Sequence, residues 1–204
     1  MPEFKVHHLW PIPVYAGTIK TKKEWQDSIT KLEYVRTHIG NSDISVDRDV
    51  IKKMPDLKEE VDRHIFNFTK KYLKVRKGLD FYMLNSWVNI HHPGDVAQIH
   101  HHSNSLISGV YYPIAPHTSG DLQLHRSTHK NLFDQCITME YDGHFNVNSD
   151  RYTLDVFTDL IVLFPSHLEH GTKENISNKK RYSIAFNYYV KGVLGKEEYR
   201  LEFK

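Results

Sequence analysis

The chain of 204 residues contains one cysteine, Cys136. With a single thiol no intrachain disulfide can close and no thiolate zinc site can assemble, which suits a reducing compartment. The chain also lacks any apolar run near the roughly 20 residues that span a bilayer, so a membrane class is not indicated. Its first residues, Met1-Pro2-Glu3-Phe4-Lys5, do not have the charged-then-apolar layout of a secretory signal. A cytoplasmic location is expected. Charge of one sign is lacking as well: 27 basic and 25 acidic residues are spread along the chain for a net +2, which leaves no basic stripe to follow a phosphate backbone. No obligate nucleic-acid partner and no membrane partner are expected. A homodimer is compatible with the sequence, although no motif specifies one. Neither an internal repeat nor a low-complexity linker interrupts the chain. At this length one fully cored domain over residues 1–204 is expected, because two would be small.

What the sequence does have is a change of periodicity. Thr21-Lys22-Lys23-Glu24 has the form of a capping box, and Trp25, Ile29, Leu32 and Val35 follow at helical spacing until Gly40. A second helix is expected from Met54-Pro55-Asp56, with Pro55 in the first turn and Leu57, Val61, Ile65, Phe68 and Tyr72 on one face. From Leu79 onward short β-rich runs take over: 81–84, 87–90, 106–112, 122–124, 137–141, 152–156, 160–164 and 182–190. Turn signals such as His92-Pro93-Gly94, Ser119-Gly120-Asp121 and Asp142-Gly143 separate them. The pattern predicts a mainly β sandwich or barrel over 79–204, buttressed from outside by helices within 1–78.

The chain is also rich in histidine, with 15 in all. His91, His92, His100, His101 and His102 fall within twelve residues, neither terminal nor uninterrupted as a purification tag would be. His100 and His102 are two apart in a stretch that leads into a strand, and alternation puts such a pair on one face, with His101 on the other. A lone H-x-H is most simply a pair of surface histidines. As metal ligands, two neutral imidazoles plus one further donor would leave positions open on a first-row metal, as in non-haem iron oxygenases. The sequence offers His170 for the third, just past the apolar run that ends at Phe164. Eleven positions later Arg181 opens a strand that is otherwise apolar on alternate positions. A guanidinium turned into a barrel needs an anion, its planar fork suits a carboxylate, and Ser183 faces the same side with a hydroxyl.

With these residues in view the chain resembles the prolyl-hydroxylase-like 2-oxoglutarate/Fe(II) oxygenases, and within them a bacterial and phage group with an H-x-H motif. The resemblance is carried by Leu9 to Tyr15, Trp87-Val88-Asn89, His100 to Tyr112, Ser119 to Leu122, Phe164-Pro165-Ser166 with His170, and Arg181 to Asn187. It implies a double-stranded β-helix, or jelly roll, with iron(II) on His100, His102 and His170. 2-Oxoglutarate and dioxygen would be cosubstrates, and a small molecule or a peptide would be hydroxylated with release of succinate and carbon dioxide. It implies further that Arg181 pairs with the distal carboxylate, that Tyr112 donates to that group, and that Leu122 is an apolar wall of the same pocket. His167 is the rival third ligand, but only His170 keeps the family's spacing to Arg181. His102 stands where most relatives have Asp or Glu, Ser103 replaces the group's usual proline, and His125-Arg126-Ser127-Thr128 departs from an expected acidic-Pro-Arg stretch. These departures bear on substrate choice, which is expected to lie in the loops 113–119, 142–151 and 172–180. Two other readings remain: a three-histidine cupin-like dioxygenase that does not use 2-oxoglutarate and whose Arg181 clamps substrate, and a non-catalytic ligand-binding jelly roll.

Overall fold

The computed structural model describes residues 11–37, 41–126, 140–143 and 148–203. In chain order its elements are β1 (Tyr15–Thr18), α1 (Lys23–Ile29), β2 (Tyr34–Thr37), β3 (Ser42–Ser45), α2 (Pro55–Phe66), β4 (Leu79–His91) and β5 (Ile107–Ile114). They continue with β6 (Leu122–His125), β7 (Arg151–Leu154), β8 (Leu160–Pro165), β9 (Glu169–Thr172), β10 (Arg181–Leu194) and β11 (Leu201–Phe203). The larger sheet runs β1-β8-β5-β10-β4-β3-β2, with β11 paired to β10, and a smaller sheet runs β7-β6-β9. All of these pairings are antiparallel, the two-sheet arrangement of a jelly roll.

The long ladder between β4 and β10 divides the interior. Val88 and Ile184 are directly opposite each other and fully buried, and Phe186 lies opposite Ser86 on the same face. This face meets the helices: Trp25 and Ile29 of α1 and Leu57, Val61 and Ile65 of α2 share one apolar cluster with Met83, Val88, Ile184 and Phe186. Close approach requires glycine at one point here. A Cβ on Gly109 would lie 2.4 Å from the Phe186 ring and 2.7 Å from Leu163. A second cluster, including Tyr112, Leu122, Leu124, Val162, Phe164 and Leu168, fills the space between the two sheets.

The second helix begins as expected at Pro55 and continues through a π-helical segment to Tyr72. Tyr72 is not part of the buried face; it is exposed and stacks on Phe68. The first helix is shorter than its periodicity suggests. It ends at Ile29, and Tyr34–Thr37, expected to continue it, is a strand paired with Ser42–Ser45. The β-branched and aromatic residues Tyr34, Val35 and Thr37 suit a sheet edge, and tertiary pairing prevails over local spacing. The capping box does not form either: the N-cap is Lys22 without a side-chain bond, and the Thr21 hydroxyl bonds with that of Tyr111 at 2.6 Å. The runs at 81–84 and 87–90 are one strand rather than two. The strand expected from Ile137 falls largely outside the described residues. Among the described residues no helix is long and apolar enough to cross a membrane.

Because α2 shares its apolar cluster with the larger sheet, Leu57→Ala is expected to destabilise helix and sheet together. The cost should be about 2–5 kcal/mol, read as one shifted transition in urea unfolding followed by both tryptophan fluorescence and far-ultraviolet circular dichroism. Two separated transitions would show that the helices unfold independently.

Candidate metal and cosubstrate site

The segment before β5 is not a regular strand, so the alternation expected of His100 and His102 has another origin. His100 and His170 exchange both backbone hydrogen bonds, at 2.9 and 2.8 Å, and the His102 N–H donates to the Ser166 carbonyl at 3.0 Å. The segment is thus stitched to the β8–β9 turn as though it were one more strand. The exchange makes His100 and His170 a directly opposed pair, and their ring centroids are 4.4 Å apart. The ring of His102 is 5.3 Å from that of His100 and 5.0 Å from that of His170. One nitrogen from each of the three lies within 4.8 Å of the others, and among the described residues no carboxylate joins the group. His101 and His167 are both exposed and outside the cluster.

The tautomers follow from the partners. Nδ1 of His100 is 2.8 Å from the Gln98 carbonyl, and Nδ1 of His170 is 2.9 Å from the Leu168 carbonyl. A carbonyl only accepts, so both Nδ1 atoms carry the proton and both Nε2 atoms keep a lone pair. Nδ1 of His102 is 2.6 Å from Oδ1 of Asn187. The amide of Asn187 is oriented by its own donation to Asn85 Oδ1 at 3.0 Å, so its oxygen faces the imidazole and the same tautomer results. The Ser108 hydroxyl closes this network, 2.9 Å from His102 Nδ1 and 2.8 Å from Asn187 Oδ1. Burial holds His170 down to about 3 and keeps His102 below the ordinary histidine value. Both are therefore neutral at pH 7, the form that binds a metal. Three imidazoles whose Nδ1 atoms are engaged by the protein and whose Nε2 atoms are left for a ligand suit a first-row metal.

The histidines open onto a cavity of about 500 Å³ walled by β4 and β10. Alternate residues Asn85, Trp87, Asn89 and His91 of β4 line it, opposite Asn187, Ala185, Ser183 and Arg181 of β10. Tyr112, Leu122 and Phe164 add the wall nearest the smaller sheet. Arg181 is 1% exposed. Its Nη1 donates to the carbonyl of Ser119 at 3.0 Å and to that of Gly120, while its Nε has no partner. Gly120 can present that carbonyl because it adopts φ +94°, and a Cβ there would lie 2.3 Å from the Lys173 carbonyl. Burial lowers the Arg181 pKa, with Tyr112 and Asp121 acting against the shift. No carboxylate forms an ion pair with Arg181 among the described residues. Its carbon Cζ is 5.9 Å from the Tyr112 ring centroid, and the buried Tyr112 phenol is pushed up to about 12.

The structure therefore gathers into one cavity every residue that the sequence singled out: His100, His102, His170, Arg181, Ser183, Tyr112 and Leu122. Asn187 and His91 also line it, and the Ser108 hydroxyl stands behind His102; sequence reading gave none of the three a role. Asn187 could have been found by extending the alternation of Arg181 and Ser183 two further steps. Ser119, at the end of the loop 113–119, holds the guanidinium through its carbonyl.

A family model described as "Putative 2OG-Fe(II) oxygenase" matches residues 85–187, just over half of the chain and the span that carries the three histidines and Arg181. Solved structures of similar fold include an oxidoreductase of the 2OG-Fe(II) oxygenase family from Burkholderia pseudomallei, 10% identical over 81% of this chain and 76% of that one, with a TM-score of 0.58. HygX from Streptomyces hygroscopicus, with nickel, 2-oxoglutarate and hygromycin B bound, is 14% identical over 87% and 83% of the two chains, with a TM-score of 0.56. The carbocyclase SnoK from nogalamycin biosynthesis is 13% identical over 89% and 82%, with a TM-score of 0.58. At such identities the likeness is one of fold. Among curated proteins none matches the chain. The match of the family model over half the chain settles the family: the protein belongs to the 2OG-Fe(II) oxygenases, enzymes that use iron(II) and 2-oxoglutarate.

Proposed function

We propose that the chain holds iron(II) through Nε2 of His100, His102 and His170, and that it seats 2-oxoglutarate with the distal carboxylate on Arg181. Ser183 and Tyr112 would supply further donors to that carboxylate, and Leu122 would form the apolar wall beside its methylene groups. Iron(II) held there would supply the coupling of dioxygen to the oxidative decarboxylation of 2-oxoglutarate, with succinate, carbon dioxide and a hydroxylated small molecule or peptide as products. The observation that carries this reading is Arg181, a guanidinium buried in the cavity wall with no ion-pair partner among the described residues. A buried cation of that kind is costly unless an anion completes it. A non-catalytic metal site would be closed by a fourth ligand, and none joins the three histidines among the described residues.

The protein's own groups have separable tasks. The carbonyls of Gln98 and Leu168 and the amide of Asn187 fix each imidazole by its Nδ1 proton, so the metal-facing atoms are set before any ion arrives. Phe164, with its ring 4.6 Å from that of His170, shields the buried side of the site from water. We take residues 1–204 as one domain in which 1–78 buttresses 79–204, working in a cytoplasm without an obligate nucleic-acid or membrane partner. The shared apolar cluster and the lone cysteine support this.

Isothermal titration of iron(II) under nitrogen is expected to give parental affinity for His101→Ala and no binding for His100→Ala. Asn187→Leu, which removes the acceptor behind His102, should weaken binding about 10–100-fold. Equal behaviour of the His100 and His101 variants would refute the ligand set. For the cosubstrate, Arg181→Ala should weaken 2-oxoglutarate binding to the iron-loaded protein about ten- to a hundredfold, since a charged hydrogen bond is worth about 1.5–3 kcal/mol. Arg181→Lys should restore part of this and Tyr112→Phe should lose less. Undiminished 2-oxoglutarate affinity in Arg181→Ala, or oxygen uptake without succinate, would favour the cupin-like alternative in which Arg181 serves substrate.

A further inference from the structure

We propose that His91 is a further uncharged donor to the distal carboxylate of 2-oxoglutarate, acting beside Arg181 and positioning the cosubstrate; this rests on the cosubstrate reading above. His91 ends β4 directly across the ladder from Arg181, which opens β10, so the two side chains rise from the same face of the sheet. Both line the cavity. His91 is 3% exposed, and neither of its ring nitrogens has a hydrogen-bond partner. A neutral imidazole carries one N–H and one lone pair, and both are groups that buried side chains normally satisfy. Packing alone accounts for the burial of this ring but not for two bare nitrogens beside a guanidinium whose Nε is also bare.

The polar groups next to His91 on its own strand end and turn are engaged elsewhere. Asp95 accepts from Arg36 and from the His92 N–H, and the His92 ring bonds with Asp43 at 2.6 Å. Asn175 donates to the His91 backbone carbonyl at 2.9 Å, which pins the strand end without engaging the ring. What remains for the imidazole is whatever occupies the cavity. Its charge state fits that task. Burial first, then the Arg181 guanidinium, hold His91 down to about 3, against which Asp95 acts weakly. The ring is therefore neutral at pH 7. One guanidinium already balances one carboxylate, so a second cation would leave excess buried charge once the ligand is seated. A neutral N–H adds a directional bond without that excess.

The test compares two keto acids of equal chain length, 2-oxoglutarate and 2-oxopentanoate, which has a methyl group where the distal carboxylate would be. Each is titrated calorimetrically into iron(II)-loaded protein under nitrogen. His91→Phe should weaken 2-oxoglutarate about ten- to a hundredfold, the loss of one hydrogen bond to a charged group, and leave 2-oxopentanoate unchanged. His91→Gln, which keeps an N–H, should recover part of the difference. Equal weakening of both acids would make His91 a packing residue, and no change in either would remove it from the pocket; both outcomes overturn the proposal. Should His91→Phe fail to fold, nitrogen-15 histidine spectra of the zinc-loaded parent decide: the His91 ring N–H must shift with 2-oxoglutarate and not with 2-oxopentanoate. A parent that binds neither acid overturns the cosubstrate reading itself, whereas a parent that binds 2-oxoglutarate with no His91 response overturns only this assignment.

Discussion

The pairing of β4 with β10 is the constraint on which both the core and the cavity depend. Strand side chains alternate with a period of two, so a fixed register commits every residue of both strands to one face or the other. Here Val88, Ile184 and Phe186 go to the helices and Trp87, Asn89, His91, Arg181, Ser183 and Asn187 go to the cavity. A slip of one residue would put the Arg181 guanidinium into the apolar cluster and Ile184 into the site. Neither is tolerable, so the chemistry of the two faces enforces the register that creates them. The irregularity between Asn187 and Tyr188 passes over Leu84 of β4, so that Met83 pairs with Tyr188 and joins it in the same apolar cluster. Asn187, the last cavity-facing residue before it, stands behind His102.

At the other edge of the cavity the metal site is built from backbone as much as from side chains. The mutual bonds of His100 and His170 supply the opposition that a regular strand would have supplied, although the segment itself is irregular. Each imidazole is then oriented by an acceptor on the protein, two of them carbonyls within two residues of the histidine they hold. Such short-range acceptors need no separate element to position them, and they turn with the ligand's own backbone. His102 has no acceptor so near and depends on Asn187, which sits on the opposite strand of the ladder. The orientation of the His102 ring is thereby tied to the same register that positions Arg181.

Much of this was legible in sequence because it depends on periodicity. The alternate residues of 182–190 and the helical face from Pro55 announce themselves, and the pairs His100/His102 and Arg181/Ser183 carry their own spacing. The polar strands Ser42–Ser45 and Glu169–Thr172 were not legible, since nothing in Ser-Asp-Ile-Ser or Glu-His-Gly-Thr favours extension over a turn. They are strands because neighbours supply their hydrogen bonds. The first helix misled for the converse reason: Leu32 and Val35 keep helical spacing by coincidence, Leu32 lying in the turn after α1 and Val35 in an edge strand. His91 escaped notice because its significance lies in facing Arg181. That is a matter of cross-strand register, which a single sequence does not specify.

On the proposed ligand set, a histidine in place of a carboxylate changes the electrostatics of the whole cavity. Among the described residues its lining includes Arg181, Arg48 and the histidines but no Asp or Glu. With an acidic ligand in place of His102, the protein would neutralise one of the two charges of iron(II) itself; with His102 it would neutralise neither. On the ligand set proposed here, the two carboxylates of 2-oxoglutarate are the negative charges that the site is missing, one facing the metal and the other facing Arg181. Low dielectric strengthens both attractions, and the same burial keeps His91, His102 and His170 from acquiring protons that would oppose them. The burial of Arg181 without an ion-pair partner among the described residues and the neutrality of His91, His102 and His170 then fit the one proposal, that a dianion completes the cavity.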